Sequence, residues 1–355
     1  VMQANIRATK VIGLMNPLMN LIRGGAIAII IVYGGYLVST GEATIGSLIA
    51  FYSYLEMFFG PVTMIALFYN TFQSALAAAE RIFGFIDAKP SVVEASDAVD
   101  IEIEKGRISL ENVYFSYSDT PVFEDFNLEI KPGEILAVVG PTGAGKTTLA
   151  NLILRLYDPQ KGIVTIDGVD VRRVRIQSLR RQTALVPQEP ILFEDTVIGN
   201  IRYGKQDASD EEIAEAIRML GLEELIERLP EGLNTRVTEG GVNLSVGQRQ
   251  LINIARALIR NPKIVVLDEA TSSVDPYTES LLQRALKKLL EGRTCIIIAH
   301  RLSTTFLADR VIVLDKGRIV EEGSHIELLR KGGVYAKLYE AQLGEAAKAI
   351  RTVIG

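Results

Sequence analysis

Cysteine, histidine and tryptophan are almost missing from this chain of 355 residues. A single cysteine, Cys295, excludes a disulfide framework and a multi-cysteine metal site. Two histidines, His300 and His325, leave too little material for a histidine-rich metal centre. Basic charge is also short. With 38 Lys and Arg against 43 Asp and Glu the net charge is −5, so no global basic field exists to hold nucleic acid. Apolar residues, in contrast, make up 48% of the chain, too much for disorder, and the length calls for at least two units.

The charge that is present is unevenly spread. Residues 1–86 carry only Arg7, Lys10, Arg23, Glu42, Glu56, Glu80 and Arg81, and the other 74 of the 81 charges lie beyond them. Eighteen uncharged residues separate Arg23 from Glu42, and 23 separate Glu56 from Glu80. Runs of this length span a bilayer core as helices. A signal peptide fits poorly, since there are two runs and no small-residue cleavage motif after the first. A buried hairpin of a soluble protein fits no better, because the neighbouring sequence has too little polar surface to cover it. Helices are expected over about 11–38 and 45–86, joined by a short loop at 39–44 in which Thr44 can cap the second helix. Lys and Arg are absent from 24 to 80 but present on both flanks, which puts both ends in the cytoplasm. The second helix, about 60 Å long at 1.5 Å per residue, should project below the membrane and bend near Gly60-Pro61. Two spans alone make no solute pathway, so the chain is expected to be a fragment or to work with other helices.

Residues 87–106, with Asp87, Lys89-Pro90-Ser91 and an acidic stretch, read as a linker. From Arg107 onward short β-branched runs alternate with turns and helices, the pattern of an α/β domain. Within it Glu134-Ile-Leu-Ala-Val-Val139 reads as a buried strand, followed by Gly140-Pro141-Thr142-Gly143-Ala144-Gly145-Lys146-Thr147-Thr148. This G-x-x-x-x-G-K-T spacing, between a strand and a helix, is a phosphate-binding loop. Its glycines let backbone N–H groups curl around a phosphate, and the helix start adds its positive dipole end. Lys146 is placed to reach the terminal phosphates, and the Thr147 hydroxyl to ligate Mg²⁺.

A second strand, Lys263-Ile-Val-Val-Leu-Asp268, ends in two acids. Asp268 is expected to make the other Mg²⁺ contact, and Glu269 to polarise the attacking water. The plain alternative, that the acids only cap the following turn, is weakened by the phosphate loop upstream. Strand Thr294-Cys-Ile-Ile-Ile-Ala299 carries His300 at its end, on the sheet edge where ligands bind. Cys295 inside it reads as a small core residue. His325 is expected to be exposed at a helix start, behind the capping box Ser324-x-x-Glu327. Leu244-Ser245-Val246-Gly247-Gln248 opens another helix. It reads either as the capping box Ser245-x-x-Gln248 or as a second helix N-terminus aimed at phosphate. It stands about a hundred residues from the phosphate loop, and a dimer could bring two such elements together.

These residues, in this order, resemble the ATP-binding cassette (ABC) superfamily. Gly140–Thr148 is similar to Walker A, Ile264–Glu269 to Walker B with its catalytic glutamate, and Leu244–Gln248 to the signature, usually Leu-Ser-Gly-Gly-Gln. Gln188, in Val186-Pro187-Gln188-Glu189-Pro190, resembles the Q-loop, with a role in catalysis and at Mg²⁺. Ser272-Ser-Val-Asp275 resembles the D-loop, His300 the switch histidine, and Tyr117 the aromatic that stacks on adenine. The front end resembles the last two transmembrane helices of ABC exporters. The resemblance implies a truncated half-transporter, with ATP held by Tyr117, residues 140–148 and Mg²⁺ on one subunit and by Ser245, Val246, Gly247 and Gln248 of a second half-transporter. Val246 departs from the usual glycine and is expected to be tolerated. Thr238-Glu239-Gly240-Gly241 resembles the segment exporters use to touch coupling loops.

The expected fold is an α/β P-loop NTPase domain with a helical subdomain and an antiparallel β subdomain, preceded by an all-α transmembrane hairpin. The expected domains are 1–86 membrane, 87–106 linker, 107–340 cassette with the helical subdomain at about 190–262, and 341–355 tail. The expected function is an ATPase subunit of a multi-pass exporter in a plasma or inner membrane, with its cassette in the cytoplasm. Its lipophilic, drug or peptide cargo is unidentified, and it contacts lipid but no nucleic acid. The alternatives are a nucleotide-gated or regulatory protein, a soluble cassette protein, and a fragment that binds ATP without transport.

Overall fold

The computed structural model describes residues 2–268, 275–299 and 302–343, in two compact units, Val1–Pro90 and Ser91–Gly355. The first is a helical hairpin of α1 (Met2–Ser39) and α2 (Ile45–Ile86). Thr44 caps α2 as expected: its hydroxyl accepts from Ser47 N at 3.2 Å, and Thr44 N donates to Ser47 Oγ at 3.0 Å. α2 continues as one helix through Pro61. The stretches Pro17–Ser39 and Ile45–Val62 are long and apolar enough to cross a bilayer, and neither is buried within the chain.

The second stretch contains Glu56, which sequence spacing had set at the boundary of a span. At about 1.5 Å per residue Glu56 lies roughly 17 Å along α2, near the middle of an about 30 Å hydrocarbon layer. A lone carboxylate there is costly. Arg23 of α1 neutralises it, with Nε donating to Glu56 Oε1 at 3.0 Å and Nη2 donating to the other carboxylate oxygen.

The second unit is built on two sheets. β1 (Ile108–Ser116), β2 (Pro121–Ile130), β4 (Lys161–Ile166) and β5 (Val169–Asp170) form an antiparallel sheet in the order β2-β1-β4-β5. β3 (Ile135–Val139), β6 (Thr183–Val186), β7 (Ile264–Asp268), β8 (Thr294–Ile298), β9 (Arg310–Asp315) and β10 (Arg318–Gly323) form the other, in the order β10-β9-β3-β8-β7-β6. Its pairs are parallel except β9–β10.

The β-branched runs of this larger sheet are buried on both faces, as a parallel sheet requires. Successive side chains alternate between two cores. Ala137, Val139, Val265, Leu267, Cys295 and Ile297 join one with the helical segments α5 (Val197–Arg202), α6 (Asp210–Leu220), α7 (Glu223–Glu227), α8 (Val246–Ile259) and α9 (Pro276–Leu290). Leu136, Val138, Ile264, Val266, Ile296 and Ile298 join the other, with the antiparallel sheet and α3 (Lys146–Ile153). α5 to α8 fall within the stretch 190–262.

Residues 91–106 pack on this unit rather than stand free. Ile103 is buried, and its N–H donates to Gln182 Oε1 of α4 (Ile176–Gln182) at 2.7 Å. Three successive amides, of Lys105, Gly106 and Arg107, donate to the Asp167 carboxylate. Burial alone would raise that carboxyl's pKa, yet these backbone donors hold it below the usual range. Composition gave no sign of this docking, because the anchoring residues lie some 60–80 positions away.

Candidate nucleotide site

β3 delivers the chain to the phosphate loop at the C-terminal edge of the large sheet. Gly140 must be glycine, since a Cβ there would collide with the Leu314 carbonyl oxygen of β9. Gly145 takes φ 104°, and a Cβ on it would lie 2.9 Å from the Phe123 ring. The chain can therefore curl tightly enough to turn its amides inward only with these glycines in place. Gly143, also left-handed at φ 82°, has open space around it, while Pro141 and Thr142 are exposed and Ala144 is buried. α3 starts at Lys146, capped by Gly145 with no side-chain hydrogen bond to its first amides. Lys146 Nζ donates to Gly140 O at 2.7 Å and to Pro141 O at 3.0 Å, so its ammonium lies across the loop. Thr147 is exposed at the helix start and Thr148 is buried. This ring of amides with one buried lysine fits a polyanionic phosphate chain.

Strand register sets what stands beside it. Val138 pairs with Ile298, and Ile298 with Asp268, so all three form one row across β3, β8 and β7. At about 4.8 Å between strands, Asp268 stands roughly 10 Å from Val138, across one intervening strand. Ala299 N donates to Val138 O at 3.0 Å, fixing the chain against β3 up to the residue before His300. Gln188 is exposed two residues beyond the end of β6, on the same sheet edge. Glu269, residues 272–274 of the expected D-loop, and His300 lie outside the described residues. Asp275 is described: it caps α9, accepting from Thr278 N at 3.0 Å, and hydrogen bonds from Thr278 hold its carboxyl below its ordinary pKa.

Tyr117 follows β1 and is half exposed. Its ring packs edge-on against Phe115 and Tyr157, with centroids 4.8 Å and 5.0 Å away, and its hydroxyl accepts from Asn151 Nδ2 at 3.0 Å. The supporting pair, Tyr157 and Asn151, was not singled out from sequence, having no signal apart from the fold.

The signature residues occupy a different part of the unit. Ser245 caps α8: its hydroxyl accepts from Gln248 N at 3.2 Å, and Gln248 Oε1 accepts from Ser245 N at 2.8 Å. Gly247 is buried, whereas Val246 is 36% exposed at the first helical position, with its side chain outward. Arg249 ties the cap to the preceding segment, its Nη1 donating to Gly241 O at 3.2 Å and Leu244 O at 2.7 Å. Buried Gln250 and Asn253, further along α8, keep amide atoms without hydrogen-bond partners among the described residues.

Cys295 is buried in β8, and burial pushes its thiol up to about 12, so it is an unreactive core residue. His325 overturns its expectation. Ser324 and Glu327 do form the capping box, but the ring is half-buried among Phe306, Tyr335 and Tyr339, and burial lowers its pKa. A groove of about 920 Å³ lies at the opposite sheet edge, where Arg260 bonds the carbonyl of Thr183 at the start of β6; Arg180, Arg181, Tyr203 and Lys205 also line it.

Residues 123–272 match the family model of the ABC transporter ATPase, described as "ABC transporter", and residues 1–62 match "ABC transporter transmembrane region". An ATP-dependent lipid A-core flippase of Syntrophus aciditrophicus (strain SB) is 46% identical over 344 residues, 97% of this chain and 57% of the relative. A fatty acid ABC transporter ATP-binding/permease protein of Mycobacterium bovis is 44% identical over 344 residues, 96% of this chain and 54% of the relative. The solved structure of a bacterial Atm1-family ABC exporter with ATP bound aligns at TM-score 0.70 and 37% identity, covering 97% of this chain and 60% of that one. The chain thus spans a little over half the length of the relatives it matches. It is an integral membrane protein with its ATPase domain in the cytoplasm. On both family matches and these relatives, the chain belongs to the ABC transporter family, with an ABC transporter transmembrane region in its first unit and the nucleotide-binding cassette in its second.

Proposed function

We propose that this chain is part of an exporter half-transporter that hydrolyses ATP and moves a lipid-like cargo across its membrane. The observation that carries the catalytic reading is the row Val138–Ile298–Asp268, which puts an acid-tipped strand end beside the phosphate loop. Residues 140–148 cradle the phosphate chain through backbone amides, and Lys146 balances its terminal charge. Tyr117 offers its exposed ring to the adenine. The oxygen donors of Thr147, Asp268 and Gln188 suit Mg²⁺, which when bound neutralises charge on the phosphates. Glu269 orients the water in line with the terminal phosphate and accepts its proton, His300 contacts that phosphate, and Gln188 relays its presence towards the membrane helices. Ser245, Val246, Gly247 and Gln248 of a second half-transporter close the site from the other side, with Asp275 near the same junction. Closing two cassettes over nucleotide and reopening them after hydrolysis is then a population shift of the dimer.

The cargo reading rests on the relatives, one named as a lipid A-core flippase and another as a fatty acid transporter. In the complete half-transporter, Glu269→Gln should leave nucleotide binding intact and lower turnover at least about 100-fold, as expected for loss of the group that activates water. Unchanged hydrolysis in a steady-state assay removes Glu269 from the mechanism. Stimulation of that activity by fatty acids or lipid A-type amphiphiles, and not by peptides, tests the cargo class.

A further inference from the structure

Tyr117 stands one residue past the end of β1, where the strand has run out of ordinary partners. Ser116, the residue before it, registers with Pro121 of β2, and proline has no N–H to give to the Ser116 carbonyl. On the other side the ladder between β1 and β4 ends at the pair Tyr114 and Lys161. Gln160, just ahead of β4, fills the gap with its side chain. Its Nε2 donates to Ser116 O at 2.7 Å, and its Oε1 accepts from Ser116 N at 3.0 Å. Its own backbone N–H donates to Tyr114 O at 3.1 Å. The carboxamide thus stands in for one more peptide group of β4 and pins the backbone that carries the Tyr117 ring.

The far end of the ring is held separately. Asn151 donates to the Tyr117 hydroxyl at 3.0 Å, and Asn151 belongs to α3. It follows Lys146 by five residues, about 7.5 Å along the helix at 1.5 Å per residue. One short helix therefore serves the phosphate loop with its first turn and the aromatic ring with its last. Phe115 and Tyr157 meet that ring edge-on, at interplanar angles of 90° and 88°, and it stays half exposed. Both amide bonds lie at the surface, where water could replace them at little cost in stability. What water cannot replace is direction. A ring already held in place binds a flat partner without first having to be ordered.

We propose that Asn151 and Gln160 are positioning residues for the Tyr117 ring, holding it as a preformed platform for the flat base of a nucleoside triphosphate. The inference rests on the reading of Tyr117 as the base-stacking aromatic, and deepens it by tying the base platform to the helix that starts at the phosphate loop.

The test compares calorimetric affinities of the complete half-transporter for ATP and for inorganic tripolyphosphate, which has the phosphates without the base, both with Mg²⁺. Tyr117→Ala should weaken ATP binding about tenfold, as loss of one base–aromatic stack does. Asn151→Ala and Gln160→Ala should each weaken it about threefold through lost preorganisation, and together about tenfold. Tripolyphosphate affinity should stay at the wild-type value in every variant. In the Tyr117→Ala background the pair should have no further effect, because the ring they position is gone. Tyr117→Phe removes the Asn151 bond from its other end, should reproduce the threefold loss, and replaces Asn151→Ala if that variant folds poorly. If the paired variant binds ATP normally, weakens tripolyphosphate by the same factor, or loses as much again without Tyr117, this inference fails alone. If Tyr117→Ala binds ATP like the wild type, the reading of Tyr117 fails and takes the inference with it.

Discussion

Two helix starts lie at the heart of the nucleotide reading, and they are finished in opposite ways. At α3 the cap is Gly145, left-handed at φ 104°, and no side chain bonds to the first amides. At α8 the cap is Ser245, and its hydroxyl and the Gln248 side chain close a reciprocal box over the helix end. A helix end that leaves its donors to be satisfied from outside invites an anion. One whose capping box bonds the Gln248 amide and the cap's own N–H is partly closed by itself and presents the Ser245 side chain at its tip. On the proposed function, the phosphate loop is then the gripping element, and the signature end the face that another surface meets. This matches the proposed division in which each chain holds nucleotide with its first motif and presents the other to its partner.

The comparison can be broken at either end. Lys146→Ala should have the largest effect, weakening nucleotide binding about 100-fold by removing a charge-assisted contact. A fluorescent-nucleotide titration measures this, and unchanged affinity would detach Lys146 from the phosphates. Gly145→Ala should come next. Strain at φ 104° and the 2.9 Å approach to Phe123 should lower both affinity and thermal stability, by about 1–3 kcal/mol in the latter.

Ser245→Ala sharpens the contrast, because it should cost about 1 kcal/mol of cap stability and reduce turnover while leaving nucleotide affinity of the same chain intact. If affinity falls along with turnover, the two helix starts serve one nucleotide within one chain. The smallest effect is expected from Gln250→Met, which replaces buried amide atoms of α8 that have no hydrogen-bond partner among the described residues with apolar ones. Thermal unfolding should shift up by about 2–4 °C, the shift that about 1 kcal/mol produces in a domain of this size. A downward shift would mean that the amide has a partner after all.

Much of the site was legible because its motifs are local. Gly140 to Thr148 must be contiguous to wrap one phosphate chain, so spacing alone marks the loop and the strand before it. The Ser245–Gln248 and Ser324–Glu327 boxes were legible for the same reason, being contacts three residues apart. His325 was misplaced as an exposed residue because its ring partners, Phe306, Tyr335 and Tyr339, come from other elements and carry no shared period with it. Arg23 and Glu56, 33 residues apart, each bound an uncharged run, and the structure joins them as one ion pair between helices, which spacing along the chain does not reveal. Residues 91–106 had the composition of a linker, yet their amides and apolar side chains find partners on α4 and at Asp167.

By itself the sequence determined two chemically different units, two membrane-length helices and a phosphate loop, because each follows from runs of consecutive residues obeying one period or one turn geometry. Only the tertiary structure decided that Asp268 and Val138 share a row, that Tyr117 leans on Tyr157 and Asn151, and that the Tyr335 hydroxyl joins Thr305 to His325. Those relations depend on strand order and on burial between distant segments, and neither leaves a mark in local spacing.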